Sequence, residues 1–258
     1  MISSTCAIRD ISKALLALTL ATLAAALPAA AKDPRAPCGP REFENVRFTV
    51  CVIDPRDHEL RLFAAGEDGN PLGRFENLPQ EIDGAPLVFA MNAGMFDASL
   101  DPIGLHIENG ETIVDANTND GPGNFHLKPN GVFFVERGRP AVMSTEAYLA
   151  ARPNAELATQ SGPMLVIQGE LHPRFLPDSD SLKRRNGVGV AQDGEVYFAI
   201  ADEPVSFHRF ARLFRDGLGT EDALFFDGGF VPSLYAPNLE RADGWLPLGP
   251  MIAAYAQD

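Results

Sequence analysis

The amino-acid sequence predicts an α+β fold, a single domain with a strand-rich mixed sheet core and few helices. Three observations support this. Most apolar segments are only about four to eight residues long and are bounded by Gly, Pro, Asn or Asp, which is typical of buried strands. Tight-turn sequences at 137–139 (Arg-Gly-Arg) and 193–194 (Asp-Gly) predict two β-hairpins. Only residues 206–216 have the clear periodicity of an amphipathic helix.

The predicted strands share short length and a high content of apolar residues. In chain order they cover residues 46–53, 59–63, 86–91, 103–107, 131–136, 140–143, 188–192, 195–200 and 223–226. Residues 158–171 are predicted to be extended although Pro163 interrupts them. Long polar loops are predicted at 64–84, 110–129 and 172–186.

Two helices are predicted. The first is short and covers 145–151. In the second, Ser206 is a suitable N-cap and Gly217 a suitable end. An aromatic stripe at helical spacing is typical of core packing, so this face is predicted to lie in the core. It comprises Phe207, Phe210, Leu213 and Phe214.

The N-terminal segment has the layout of a secretory signal peptide. A short charged region at 9–13 precedes an apolar run at 14–27 and small residues at 28–31. The run is short and rich in Ala for a membrane span, although an uncleaved anchor is the alternative. Cleavage is predicted after Ala31.

The chain is thus predicted to comprise a signal peptide at 1–31, an N-terminal lead at 32–44 and one domain at 45–258. The lead is rich in Pro and charged residues and is predicted to be loose. The predicted localisation is periplasmic or secreted, with no stable membrane span after cleavage.

Two cysteines, Cys38 and Cys51, remain after the predicted cleavage. In an oxidising compartment an even pair predicts a disulfide, which would tie the lead to the first strand. The alternative is two unpaired thiols, with Cys51 buried in the strand.

The formal net charge is −14. Such an acidic protein is not expected to bind nucleic acid or an anionic membrane through general electrostatic attraction. Any site for an anionic ligand must therefore be a local group of basic residues.

Polar residues and glycines stand together at the ends of several buried strands. Glycine allows a sharp turn or the close approach of a ligand, and strand ends are where ligand-binding groups often gather. The stretches with this pattern are NAGMF (92–96), HLKPNG (126–131), QSGPM (160–164), KRRNG (183–187) and LFFDGG (224–229).

Each stretch also has a purely structural interpretation. Asn92 can cap a turn through its own backbone, and Asp227 can belong to an ordinary turn at a strand end. Arg184 and Arg185 can be a solvated pair in a loop. Ser161 is better suited to a turn than to nucleophilic attack, since it lacks the Gly-x-Ser-x-Gly setting.

No metal and no cofactor are predicted. The five histidines show no His-Glu-x-x-His pattern. The segment from Asp115 departs from a calcium loop, because Asp120 stands at the sixth position and His126 at the twelfth. The sequence also has no Walker loop and no Gly-x-Gly-x-x-Gly after a predicted strand.

Taken in order, NAGMF, NGVFFV, QSGPML, RRNGVGV and LFFDGG resemble the phosphodiester glycosidase domain family, to which the uncovering enzyme (N-acetylglucosamine-1-phosphodiester alpha-N-acetylglucosaminidase) is related. FHLKPNGVFF and DGGFVPSLYA are most similar to its small bacterial secreted branch. The resemblance covers about residues 48–254. The chain departs from the family patterns Asp-Gly-Gly-Gly-Ser-Ser/Thr and Arg-Thr-Ala-x-Gly, which are here DGGFVPS and RNGVG.

The resemblance implies hydrolysis of a sugar-1-phosphodiester, with a link to exopolysaccharide or envelope glycan metabolism. By its match to the family's Arg, Arg185 is expected to grip the phosphate. Asp227 is expected to act as general base or stabilising carboxylate, and Asn92 to orient a sugar hydroxyl or a phosphate oxygen. The expected substrate-binding residues are Gly94, Lys128, Asn130, Ser161, Gly162, Arg184, Gly228 and Gly229.

Three alternatives stay open: a non-catalytic glycan-binding or assembly module of the same fold, a metal-dependent phosphodiesterase, and a structural envelope protein. Asn92, Arg185 and Asp227 are expected to face one pocket from different strands, and side chains scattered over different faces would contradict this grouping. Because neighbouring residues of an extended chain point opposite ways, only one of Arg184 and Arg185 is expected to face it.

Overall fold

The computed structural model describes residues 1–2 and 33–257. The predicted signal peptide therefore lies outside the described residues, apart from the first two. Every helix and strand described here belongs to the unit that begins at Lys32. Within the described ranges, no helix has the length and apolar character needed to cross a membrane.

The described domain is built mainly from strands. In chain order these are β1 (Cys38–Phe43), β2 (Val46–Ile53), β3 (His58–Phe63), β4 (Glu81–Ile82), β5 (Ala85–Asn92), β6 (His106–Glu108), β7 (Glu111–Val114), β8 (Gly131–Glu136), β9 (Arg139–Ser144), β10 (Leu157–Ser161), β11 (Met164–Ile167), β12 (Glu170–Leu171), β13 (Arg185–Val190), β14 (Val196–Ala201), β15 (Asp222–Gly228), β16 (Leu234–Ala236), β17 (Arg241–Ala242) and β18 (Met251–Ala256). The helices are α1 (Thr145–Ala151) and α2 (Phe207–Arg212), with a π-helical turn at Leu213–Gly217 and 3-10 turns at Phe75–Asn77 and Pro237–Leu239. The predicted α+β, strand-rich fold is confirmed.

The strands form three sheets, and the described strand pairs are antiparallel. The seven-stranded sheet has the order β1-β2-β14-β13-β15-β11-β12. The five-stranded sheet has the order β7-β6-β10-β8-β9. The six-stranded sheet has the order β17-β16-β5-β18-β3, with β4 paired to β5.

The three sheets meet in one aromatic core. Phe198 of the seven-stranded sheet lies 4.7 Å, between ring centroids, from Phe89 of the six-stranded sheet. Its ring is also 5.9 Å from that of Phe133 in the five-stranded sheet. All three side chains are fully buried. These contacts hold the three sheets close together.

The outer face of the seven-stranded sheet is covered by α2. Ser206 caps this helix by accepting a hydrogen bond from the backbone N–H of Arg209. The predicted core face is confirmed, since Phe210 and Phe214 are fully buried in a cluster that includes Phe225 of β15. The α-helix ends earlier than predicted, and the π-helical turn completes the segment.

The predicted lead is not loose over its second half, because Cys38–Phe43 forms β1 against β2. Cys38 lies directly opposite Cys51 in this pair, and the predicted disulfide between them is present. The domain boundary at residue 45 stays a prediction.

Other differences concern short elements. The extended segment 158–171 divides at Gly162-Pro163 into β10 and β11, with β12 completing it. The strand predicted at 103–107 begins only at His106, and β4 and β7 lie in predicted loops. The last three strands were not predicted.

Gly187 in the middle of β13 has no room for a side chain. A Cβ at this position would lie 2.5 Å from the carbonyl oxygen of Leu224 on the neighbouring strand. Gly187→Ala is therefore expected to lower the free energy of unfolding by about 3 kcal/mol. Gly39→Ala in edge strand β1 is the matched control, because its Cβ would meet nothing within 4 Å. Urea unfolding curves that shift equally for both variants would contradict this prediction.

Candidate active site at the junction of the three sheets

Two buried amides join the six-stranded and seven-stranded sheets. Asn186 of β13 donates from Nδ2 to Oδ1 of Asn92 at 2.9 Å and to the Asn92 carbonyl at 3.2 Å. Its Oδ1 accepts from the backbone N–H of Asp227 at 3.0 Å. Oδ1 of Asn92 also accepts from the N–H of Ser233 at 2.9 Å. The structure therefore brings Asn92 and Asp227 together through Asn186.

Asn92 has an unused hydrogen-bond donor. Its side chain is fully buried, and within residues 33–257 no group accepts a hydrogen bond from its Nδ2. A buried donor without an acceptor costs about 1–3 kcal/mol. An acceptor on a bound ligand, such as a sugar hydroxyl or a phosphate oxygen, would remove that cost.

Asp227 is a carboxylic acid with a shifted pKa. Burial raises the pKa of its carboxyl to about 7, against a smaller opposing effect of the hydrogen bond from the N–H of Gly228 to Oδ1 at 2.6 Å. No basic side chain in the described part of the chain forms an ion pair with it. The Asp227 residue is only partly buried. Such a group can exchange a proton near neutral pH.

The five-stranded sheet supports the same junction. At the end of β10, Ser161 donates from Oγ to the carbonyl of Phe226 at 2.8 Å, next to Asp227. Thr159 donates from Oγ1 to the carbonyl of Ala93 at 3.0 Å, next to Asn92. The Ser161 hydroxyl is fully buried and engaged with the backbone. This geometry matches the structural interpretation of Ser161.

The predicted glycines serve close packing and turning. Gly94 has φ +92°, and a Cβ there would lie 2.8 Å from Oγ1 of Thr159. A Cβ at Gly162 would lie 2.6 Å from that of Asn130, whose Nδ2 donates to the carbonyl of Phe125. These positions hold the loops against β10.

The turn after Asp227 is open on its outer side. Gly229 has φ +83°, and a Cβ there would meet nothing within 4 Å. Its N–H donates to the carbonyl of Arg184 at 3.0 Å. A Cβ at Gly228 would be 3.3 Å from the same oxygen. The Gly228-Gly229 turn and Arg184 therefore form one edge of the site.

Arg185 does not join Asn92 and Asp227, contrary to the predicted grouping. Its guanidinium carbon lies 3.6 Å from the ring centroid of Phe207 on the side of the sheet covered by α2. It donates from Nε to the carbonyl of Val205 and from Nη2 to that of Ser181. Because Asn186 points to Asn92, the preceding side chain points to the opposite face. Burial lowers the pKa of the Arg185 guanidinium to about 10.

Arg184 lies on the site's edge and is loosely held. Its Nη2 is 3.3 Å from Oδ2 of Asp243, and its Nε is 3.4 Å from the carbonyl oxygen of Ala201. Both are at the long end of the hydrogen-bond range. Arg241 pairs with the same Asp243 at 2.8 Å, so that carboxylate is already compensated. Arg184 therefore keeps charge available for an anionic ligand.

Lys128 lies away from the junction of Asn92 and Asp227. Its Nζ pairs with Asp120 at 2.6 Å and donates to the carbonyl of Thr118 at 3.0 Å. Together with Asn130 and the start of α1 it lines a cavity of about 550 Å³, whose lining includes neither Asn92 nor Asp227.

Asn186 was not predicted as a site residue, although it links the two that were. The signal was present, since Asn186 with Gly187 stands at the start of one buried strand, and Asn92 with Gly94 stands at the end of another. For metals, no three His, Cys, Asp or Glu side chains between residues 33 and 257 are grouped so that they could hold an ion.

The family profile described as phosphodiester glycosidase matches residues 85–251, about two thirds of the chain, and includes all the motifs above. The chain belongs to the phosphodiester glycosidase family, as the resemblance implied. A relative in Escherichia coli K12, the uncharacterized protein YigE, is 32% identical over 222 residues, covering 85% of this chain and 83% of its own.

Solved structures show the same fold at low sequence identity. The catalytic domain of zebrafish N-acetylglucosamine-1-phosphodiester alpha-N-acetylglucosaminidase, auto-inhibited by its pro-peptide, is similar with a TM-score of 0.59 and 13% identity, over 85% of this chain and 82% of its own. A hypothetical protein from Synechocystis gives a TM-score of 0.50 at 14% identity, over 85% of this chain and 61% of its own.

Proposed function

We propose that this protein hydrolyses the glycosidic bond of a sugar-1-phosphodiester outside the cytoplasm, in exopolysaccharide or envelope glycan metabolism. The observation that carries the proposal is the Asp227 carboxyl, with a pKa near 7, tied through Asn186 to the unused donor of Asn92. Family membership supports the reaction class. The disulfide between Cys38 and Cys51 supports an oxidising compartment.

In the proposed reaction, a water molecule attacks the anomeric carbon and gives its proton to the Asp227 carboxylate. The bond between this carbon and the phosphate oxygen breaks, and its electron pair stays on that oxygen. The products are the free sugar and a phosphomonoester. This leaving group needs compensation of its charge more than protonation, so a basic side chain suffices beside it.

Arg184 is the proposed phosphate-binding group, in place of Arg185. Arg184 lies beside the Gly228-Gly229 turn and can pair with phosphate oxygens. Asn92 would donate from Nδ2 to a sugar hydroxyl or a phosphate oxygen. Arg185 would act at a distance by holding the backbone at Ser181 and Val205.

The two arginines are expected to give opposite results when replaced by Gln. Arg184→Gln should raise KM at least about 10-fold with little loss of stability, because one charge-assisted contact to phosphate is lost. Arg185→Gln should lower the free energy of unfolding by about 2 kcal/mol and change KM by less than about twofold. Michaelis–Menten kinetics and urea unfolding of both variants measure this. A large rise in KM for Arg185→Gln alone would indicate that Arg185, and not Arg184, binds the phosphate.

The reaction is tested with purified protein and a panel of sugar-1-phosphodiesters, nucleotide sugars included, in oxygen-18 water. Mass spectrometry locates the label. The proposal expects it in the free sugar, and no effect of a metal chelator. Label in the phosphate, together with inhibition by the chelator, would indicate a metal-dependent phosphodiesterase. Saturable binding without turnover would indicate a glycan-binding module.

A further inference from the structure

The single tryptophan of the chain lies in a groove beside the candidate active site. Trp245 is 87% exposed, an unusual state for so large an apolar side chain. It lines a cavity of about 590 Å³ together with Tyr235 and Phe75. The rings of Phe75 and Tyr235 are 6.2 Å apart between centroids, so the lining combines an aromatic pair with an exposed indole.

The rest of the lining is polar and includes an available positive charge. Arg74, Glu76 and Gln80 face the cavity with Asp243. Arg74 is exposed, and within the described part of the chain it forms no ion pair. Glu76 in the same lining is also exposed, and the Arg74 guanidinium gives the groove one group that can pair with an acidic group of a ligand.

The groove and the candidate active site share one edge. Asp243 lines the groove and pairs with Arg184, the proposed phosphate-binding group. Ser233, whose N–H donates to Asn92, directly precedes β16, and β16 contributes Tyr235 to the groove. Asp243 thus links Arg184 to the groove that Trp245 lines.

We infer that this groove binds further sugar units of an anionic glycan chain, with one ring stacked on Trp245 and an acidic group paired with Arg74. The C–H bonds on one face of a sugar ring fit the electron-rich face of an indole, while its hydroxyls need polar partners. The lining supplies both. The inference rests on the proposed function. It specifies that the preferred substrates are oligomeric or polymeric phosphodiesters and not phosphodiesters of a single sugar.

Trp245 also provides the measurement, because no other tryptophan contributes to the fluorescence. Asp227→Asn protein is titrated with hexose tetramers joined by 1-phosphodiester bonds, with the methyl phosphodiester of one hexose-1-phosphate, and with neutral maltotetraose. The charged tetramer is expected to shift the emission to shorter wavelength, saturably, at a concentration at least tenfold lower than either of the other two. An emission spectrum unchanged by all three would overturn the inference.

Kinetics on the wild-type background separate the groove from the reaction site. Trp245→Ala and Arg74→Ala are each expected to lower kcat/KM for the charged tetramer at least tenfold. They should leave the value for the single-sugar phosphodiester within twofold. Leu246→Ala is the matched control, since Leu246 is an exposed neighbour outside the groove lining. It should change neither value.

The outcomes distinguish this inference from the proposed function. A saturable emission shift without turnover would support glycan binding in the groove and contradict the proposed glycosidase activity. Turnover by the wild type, with equal losses of kcat/KM on both substrates in Trp245→Ala, would support the glycosidase activity and contradict glycan binding in the groove.

Discussion

Asp227→Asn is expected to lower kcat by about 10³-fold, because the variant cannot accept a proton from water. The amide keeps the shape of the side chain and can still accept the hydrogen bond from the N–H of Gly228. A loss of rate would therefore reflect lost chemistry and not a changed turn.

The direction in which kcat/KM changes with pH also tests whether Asp227 is a general base. Burial holds the pKa of the Asp227 carboxyl near 7, and a general base acts only in its ionised form. The logarithm of kcat/KM should therefore rise with pH up to about 7 and level off above it. A rate that falls through the same range would assign Asp227 as a general acid.

Stability should change in the opposite direction to activity. The folded pKa is raised above the unfolded value of about 3.9, so the folded state binds more protons between the two values. This contribution to stability is fully present below about pH 4 and is lost as pH rises to about 7. Asp227→Asn should thus be more stable than wild type at pH 8, by on the order of 2 kcal/mol, and equal to it near pH 4.

Asp222→Asn is the matched control, at the other end of the same strand. Burial also raises the pKa of the Asp222 carboxyl, and this residue accepts a hydrogen bond from the N–H of Gln168. Its replacement should leave kcat within about twofold, since it lies outside the junction. Equal loss of rate in both variants would mean that β15 tolerates no neutral residue at either end.

The contrast between Arg184 and Arg185 shows what sequence could and could not decide. Alternation along an extended chain predicts that the two side chains point to opposite faces. Which one faces the site depends on how β13 pairs with β15, where the register shifts between Asn186 and Gly187. A bulge of this kind arises from tertiary packing and leaves no local signal in the sequence.

Asn92 and Asp227 were predictable because each breaks an apolar strand with a polar residue and a glycine. The strand β18, with the sequence MIAAYA, was missed because Ala has low strand propensity. Its place between β5 and β3 makes it fully buried all the same. Packing against two neighbours, and not local preference, decides its conformation.

Asn186 is expected to control both the stability and the proton equilibrium of the site. Asn186→Ala removes two hydrogen bonds to Asn92 and one from the backbone N–H of Asp227. The expected loss in free energy of unfolding is about 4 kcal/mol. Asn130→Ala should lose only about 1 kcal/mol by comparison, because that amide is also buried but donates a single hydrogen bond, to Phe125. Equal losses of the free energy of unfolding, measured with urea, would mean that the hydrogen bonds of Asn186 to Asn92 and Asp227 add no stability beyond that of a single hydrogen bond.

Asn186→Asp tests the positioning role with a readout that stability alone would not move. A second carboxylate beside Asp227 disfavours its ionisation, so the midpoint of the pH–rate profile should move above 7. The replacement also loses the donor to Oδ1 of Asn92, which should raise KM if Asn92 contacts the substrate. An unchanged midpoint in a folded variant would mean that Asp227 is not the titrating base. The midpoint is expected to shift because Asn186 hydrogen-bonds both to Asn92 of the six-stranded sheet and to Asp227 of the seven-stranded sheet. The proposed chemistry needs the amide of Asn92 and the carboxyl of Asp227 at one strand junction.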